Sequence, residues 1–238
     1  LKDREVWKGG LVLGVIVWGG FILQMLGLTD VTPAVSAFLT SLYVVFTALI
    51  GVAFGMQKMT RFALLGVLLA TFGAGWISGP PQLNFGLGEW LTVGCAFLFG
   101  AHIIATDKVT KVVDPIQVTA TMLLTVAVLS IFVYLVASRE FTGEFVSLLK
   151  EFDFTFPLML CAVLGSLVAL LVLNMFQKQV TPVRAAILYA LEPVWAMLGS
   201  LFLGLEGDVT FWLPVGAAAL LIGNLVIEYE QIAGEESV

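Results

Sequence analysis

Eight predominantly apolar stretches, at about 10–28, 33–55, 62–79, 89–107, 115–137, 155–176, 182–204 and 209–228, take up nearly the whole chain. About 20 residues of α-helix cross the roughly 30 Å hydrocarbon layer of a bilayer, so each stretch is a candidate span. Lipid offers no partner to a backbone amide, and a spanning segment is therefore a helix or a strand of a closed barrel. Barrel-type alternation is absent and Leu, Ala and Gly dominate the runs. The fold class that follows is all-α, a polytopic transmembrane helical bundle. Composition agrees: of 238 residues 60% are hydrophobic and 12% charged, against about 25% charged in an average soluble domain. The longest connection, 138–154, holds Phe141, Phe145, Leu148, Leu149 and Phe152 at roughly helical spacing, which fits either a helix lying on the membrane surface or an ordinary loop.

Charge position says more than the net charge of −6, much of which sits in the tail "EYEQIAGEESV". If the spans alternate in direction, one membrane face receives Lys2, Arg4, Lys8, Lys58, Arg61, Lys108, Lys111, Lys178 and Arg184, leaving of the 11 basic residues only Arg139 and Lys150 for the other. The positive-inside rule then puts both termini in the cytoplasm of a multi-pass protein of the plasma or inner membrane. The two cysteines, Cys95 and Cys161, both fall within spans and read as buried free thiols. The chain opens on Leu1 and a charged stretch, without the pattern of a signal peptide.

"TPAVSAFLTSLYVVFTAL" (32–49) lies over "TPVRAAILYALEPVWAML" (181–198) at an offset of 149, matching Thr, Pro, Ala37/Ala186, Leu39/Leu188, Leu42/Leu191, Val45/Val194 and Leu49/Leu198. Gln57 falls opposite Glu206 at the same offset, and Gly66 and Gly73 find Gly216 and Gly223 at an offset of 150. The second span thus matches the seventh and the third the eighth. Equivalent helices five spans apart run in opposite directions, which makes the halves inverted repeats of the kind transporters use to alternate access. The fourth and fifth spans lack partners, so two helices are expected upstream of Leu1: eight helices present of a predicted ten. The expected organisation is a first half at 1–79 with three spans, an outer linker at 80–88 around "GPPQLNFGLGE", a second half at 89–230 with five spans and an acidic cytoplasmic tail at 231–238.

"AFLTSLYVVFTALIG", "GEWLTVGCAFLFGAHIIATDKVTKVVDPIQV" and "VTPVRAAILYALEPVWAMLGSLFLGLE" together resemble the drug/metabolite transporter superfamily of the EamA type, over essentially the whole chain. The resemblance implies a ten-helix carrier of two inverted five-helix halves that moves small metabolites, amino acids or toxic organic compounds, often outward. Two departures stand out. The first two helices of the family pattern are absent, and Gln57 stands where the family usually has a glutamate, as the second half does at Glu206.

Ionisable groups inside spans are the default functional candidates, because a charge at the bilayer centre costs about 2.5–3.5 kcal/mol on insertion scales. Glu192 lies ten residues beyond Pro182, roughly 15 Å into the membrane. Pro193 supplies no amide to the carbonyl of Tyr189, so the seventh span is expected to kink there. Glu192 either borders a central cavity, contacting substrate or taking up a proton, or braces the kinked helix by hydrogen bonds. His102 is the single histidine, which excludes a site built on several imidazoles. It either lines a cavity or packs with a hydrogen bond. With Gln24, Asn174 and Tyr189 it completes the candidate lining set; the first, sixth and seventh spans, which carry those three, match cavity-lining helices of the resembled family. Arg184 sits at the inner helix end, either drawing anionic solutes or snorkelling to the surface as an anchor. Gly10-x-x-x-Gly14 and Gly51-x-x-x-Gly55 read as close-packing motifs.

No cofactor or metal is expected. No G-x-x-x-x-G-K-[ST] occurs, which argues against ATP hydrolysis by the chain, and no D-D-x-x-D, H-E-x-x-H or G-x-S-x-G supports an intramembrane enzyme. The leading expectation is a secondary carrier, an exporter in the resembled family's manner, with a small-molecule substrate and the lipid bilayer as partners and no nucleic acid. A lipid or lipid-linked-sugar flippase is the alternative.

Overall fold

The computed structural model describes residues 4–55, 60–76, 85–137, 146–176, 192–205 and 210–235, and among them no strand occurs. The helices are α1 (Arg4–Gly27), α2 (Pro33–Thr40), α3 (Tyr43–Ala53), α4 (Arg61–Trp76), α5 (Leu87–Thr110), α6 (Pro115–Ala137), α7 (Phe152–Leu160), α8 (Ala169–Phe176), α9 (Glu192–Phe202) and α10 (Trp212–Glu235), with a π-helical stretch, Cys161–Val168, joining α7 to α8. Five helical segments are long and apolar enough to cross a membrane: Arg4–Gly27, Pro33–Ala53, Leu87–Thr110, Pro115–Val136 and Phe152–Phe176. Apolar runs in α4 and α10, Arg61–Ala74 and Trp212–Ile227, are shorter. The chain is thus a polytopic helical membrane protein. Of the seventh span, the part before Glu192 lies outside the described residues, as does 138–145 of the 138–154 connection.

Two compact units emerge, one of residues 1–18 and 106–179, the other of 19–105 and 180–238. In the first, α1 lies against α6 through glycines. A Cβ on Gly14 would fall 2.5 Å from Thr125 Cβ and 2.8 Å from the carbonyl of Met122, and one on Gly10 would collide with Thr121. The Gly10–Gly14 motif therefore does what its spacing predicts. Thr121 Oγ1 also reaches the carbonyl of Val6 at 3.3 Å. Pro157 sits inside α7, removing one amide from the helical ladder, and the π-helical stretch follows within one turn. Ser166 Oγ donates to the carbonyl of Cys161 at 3.3 Å, five residues back, in keeping with the wider winding there.

In the second unit the repeat is visible as geometry. α4 and α10 run antiparallel along a seam of small residues. A Cβ on Gly66 would stand 2.7 Å from the carbonyl of Gly223, and one on Gly73 would stand 2.5 Å from both the carbonyl of Gly216 and the amide of Leu220. Gly223 approaches the amide of Ala70 and, at 2.6 Å, the carbonyl of Gly66 in the same way. At the offset of 150, the pair Gly66/Gly223 becomes Gly216/Gly73, and Ala70/Gly223 becomes Leu220/Gly73. Each contact implies its mirror image, the property of an isologous two-fold interface.

The helices before the seam agree. α3 and α9 end at the equivalent residues Ala53 and Phe202, and each is followed by a left-handed glycine, Gly55 and Gly204, both at φ 67°. The amide of Gly55 reaches the carbonyl of Val52 at 3.0 Å, and that of Gly204 the equivalent carbonyl of Leu201 at 3.1 Å. A β-carbon is disfavoured at such a helix end. Gly55 has nothing within 4 Å of its would-be Cβ, so the Gly51–Gly55 reading needs correction: Gly55 terminates a helix rather than packing against one.

The second span is not one helix. Thr32 caps α2, its Oγ1 accepting from the amide of Val35 at 3.4 Å, with Pro33 in the first turn. The helix then tightens at Ser41-Leu42: the amides of Ser41, Leu42 and Val44 reach carbonyls three residues back, Phe38, Leu39 and Ser41, at 3.1–3.2 Å. Ser41 Oγ donates to the carbonyl of Phe38 at 2.6 Å, a back-bond that favours a bend. Asn224 of α10, 1% exposed, donates its Nδ2 to both the carbonyl and the hydroxyl of Ser41 at 3.1 Å. A break inside lipid persists where a side chain satisfies its loosened backbone.

Candidate functional site

The break in the second span borders a cavity of about 220 Å³ within the second unit. Its described lining comes from α1 (Gln24, Leu28 just beyond it), from α2 and the turn after it (Pro33, Ser36, Ala37, Thr40, Ser41), from the start of α3 (Tyr43) and from α9 (Glu192, Pro193, Ala196). The repeat explains part of this convergence. At the offset of 149, Tyr43 is equivalent to Glu192, so two residues at the same register of the matching stretches border one cavity.

Gln24 Nε2 donates to Thr40 Oγ1 at 3.3 Å, and Thr40 also shares a hydrogen bond with Cys95 of α5, which is fully buried behind it. This chain of contacts fixes a polar floor. Ser36, 2% exposed, is a lining residue whose buried Oγ has no hydrogen-bond partner among the described residues. Glu192 is exposed while Pro193 beside it is buried. Among the described lining residues Glu192 is the one carboxylate, and no lysine, arginine or histidine appears. The arrangement is built for a small, partly polar molecule rather than for covalent chemistry: no nucleophile–base pair lines the cavity among the described residues, and no cluster of three or more His, Cys, Asp or Glu side chains occurs among them.

The sequence candidates separate accordingly. Gln24, Glu192 and Pro193 come together at the cavity. Asn174 lies in the first unit, 1% exposed on α8, and donates its Nδ2 to Thr119 Oγ1 of α6 at 2.7 Å; Thr119 in turn donates to the carbonyl of Pro115 at 2.6 Å. That is a helix-to-helix tie. His102 is buried on α5, 4% exposed, and is not among the cavity's lining residues. Tyr189 and Arg184 lie outside the described residues. Ser36, Thr40 and Ser41 are lining residues the sequence did not single out as candidates. The Thr-Ser pair in mid-span, against a helix in which hydroxyls tend to bend the backbone, is the signal that could have found two neighbours of the site. Both cysteines are free, Cys95 buried and Cys161 exposed.

Comparison with known proteins adds two findings. The family described as the EamA-like transporter family matches residues 1–79 and 86–229. A protein of Archaeoglobus fulgidus described as an uncharacterized transporter is 28% identical over 198 residues, an alignment that covers 82% of this chain and 60% of that relative. The chain therefore spans about 60% of the length of the curated relative it matches.

Proposed function

The chain belongs to the EamA-like transporter family, and from that premise we propose that this membrane transporter is a secondary carrier of a small organic solute, an exporter working by alternating access. The carrying observation is the cavity beside the broken second span, where Glu192 and its repeat equivalent Tyr43 border one space. Broken helices that meet at a pseudo-two-fold axis are the usual site of substrate binding in carriers built from inverted repeats. The two-fold seam of α4 and α10 supports the same reading, since rocking of equivalent parts about such an axis exchanges the open face.

In this reading the halves are 1–79 and 89–230, joined at 80–88, and the basic residues hold both termini in the cytoplasm of the cell membrane. Gln24 and Glu192 contact the solute, Pro193 shapes the helix that carries the carboxylate, and Thr40 holds the Gln24 amide in place. Asn174 ties α8 to α6. Catalysis has no place in the scheme, which needs only binding and reorientation.

The test is flux in proteoliposomes containing the purified chain, across a panel of amino acids, amines, nucleosides and aromatic acids, with Glu192→Gln alongside. The expected result is saturable movement of one solute class by the wild type and its loss in Glu192→Gln. Unchanged flux and unchanged pH dependence in the variant would remove Glu192 from both substrate contact and coupling.

A further inference from the structure

We infer that the cavity selects a small organic amine in its cationic form, with the ammonium group against Glu192. The inference rests on the carrier reading and narrows its substrate class. Three observations carry it. The first is charge: among the described residues lining the cavity there is one carboxylate and no basic side chain. The exposed Glu192 carboxylate finds no positive charge among the described lining residues to pair with, and a solute cation supplies one. An anion or a zwitterion would set a second carboxylate beside the first, and like charges repel.

The second is size. A volume of 220 Å³ corresponds to about seven waters at their liquid share of roughly 30 Å³ each. Drug-sized ligands occupy about 300–1,000 Å³. The cavity suits a solute of one ring or one short chain. The third is the polar complement. The Gln24 side chain is already oriented by its 3.3 Å bond to Thr40, and the hydroxyl-bearing Ser41 and Tyr43 line the same space. An oriented amide and neighbouring hydroxyl residues match an ammonium group, which has three donors and needs more acceptors than a single carboxylate conveniently offers. Leu28, Ala37 and Ala196 supply the apolar wall for the rest of the solute.

The experiment measures binding and flux of four probes of common skeleton, 2-phenylethylamine, N-acetyl-2-phenylethylamine, phenylalanine and phenylacetate, with the full chain in detergent and in proteoliposomes. The expected order puts 2-phenylethylamine first, with phenylacetate last. Glu192→Gln is expected to weaken the amine by about fivefold, the consequence of removing one member of an exposed charge pair, and to leave the N-acetyl compound within about twofold. Glu192→Asp, which keeps the charge, guards against a folding artefact and is expected to recover most of the amine affinity. Amine binding unchanged in Glu192→Gln overturns the inference. So does preference for phenylalanine, the N-acetyl compound or phenylacetate with flux intact, a result that leaves the carrier reading standing. No binding and no flux for any solute in the wider panel overturns both.

Discussion

Gly73→Ala offers a quantitative test of the two-fold seam. The added methyl would stand 2.5 Å from the carbonyl oxygen of Gly216 and from the amide of Leu220, and 3.1 Å from the carbonyl carbon of Ala219, whereas ordinary contacts are 3.4–4 Å. All three neighbours are backbone, so no rotamer change relieves the clash and α4 must move away from α10 by about 1 Å. Overpacking of this kind costs about 1–3 kcal/mol. Alanine returns up to about 1 kcal/mol through helix propensity, leaving a net loss of roughly 1–2 kcal/mol. Gly199→Ala in α9 is the internal control, since nothing lies within 4 Å of its would-be Cβ; it is expected to be neutral or to stabilise by up to about 1 kcal/mol. The assay is reversible unfolding in mixed micelles with rising SDS fraction, followed by tryptophan fluorescence. Gly223→Ala, the mirror substitution, is expected to match Gly73→Ala. The double variant should cost less than the sum, because a seam opened by one methyl accommodates the second. Equal stability of the Gly73 and Gly199 variants, or strict additivity of the mirror pair, would refute the interface.

Asn224→Ala removes two hydrogen bonds to Ser41 at the break in the second span; a loss of about 1–3 kcal/mol is expected in the same unfolding assay, with a raised KM for transport. Asn174→Ala, which breaks the 2.7 Å bond to Thr119, should cost about 1–2 kcal/mol while leaving KM within twofold. Thr40→Val takes away the acceptor of the Gln24 amide and is expected to lower solute affinity several-fold with little change in unfolding midpoint, read by binding of the labelled solute.

Apolar run length and the self-match of the chain made the fold legible, because both follow from the bilayer and from symmetry rather than from local detail. The equivalence of Gly66/Gly73 with Gly216/Gly223 became contacts, and Glu192 announced itself as a charge where charge is costly. Other features depend on partners distant in sequence. The Thr40-Ser41 pair reads like many hydroxyls in membrane helices; only Asn224, 183 residues away, makes it a stable break. Asn174 and Gln24 are amides of the same apparent kind, yet one ties two helices and the other borders the cavity, a difference set by which neighbour each meets. The π-helical stretch after Pro157 likewise has no reliable periodic signature over eight residues.

The Asn224 bracket breaks the symmetry of the seam on which it sits. At the repeat offsets the positions equivalent to Asn224 and Ser41 are Ala74 and Ala190, two side chains that cannot hydrogen-bond. In a pair of identical subunits any such device would necessarily appear twice. With both halves in one chain, each can keep, lose or gain a latch without the other. Here Ser41 is latched, while the stretch that matches it carries a carboxylate and a proline, Glu192 and Pro193, just beyond the equivalent position. The consequence is a division of labour between matching stretches: one is held, and the other carries the charge.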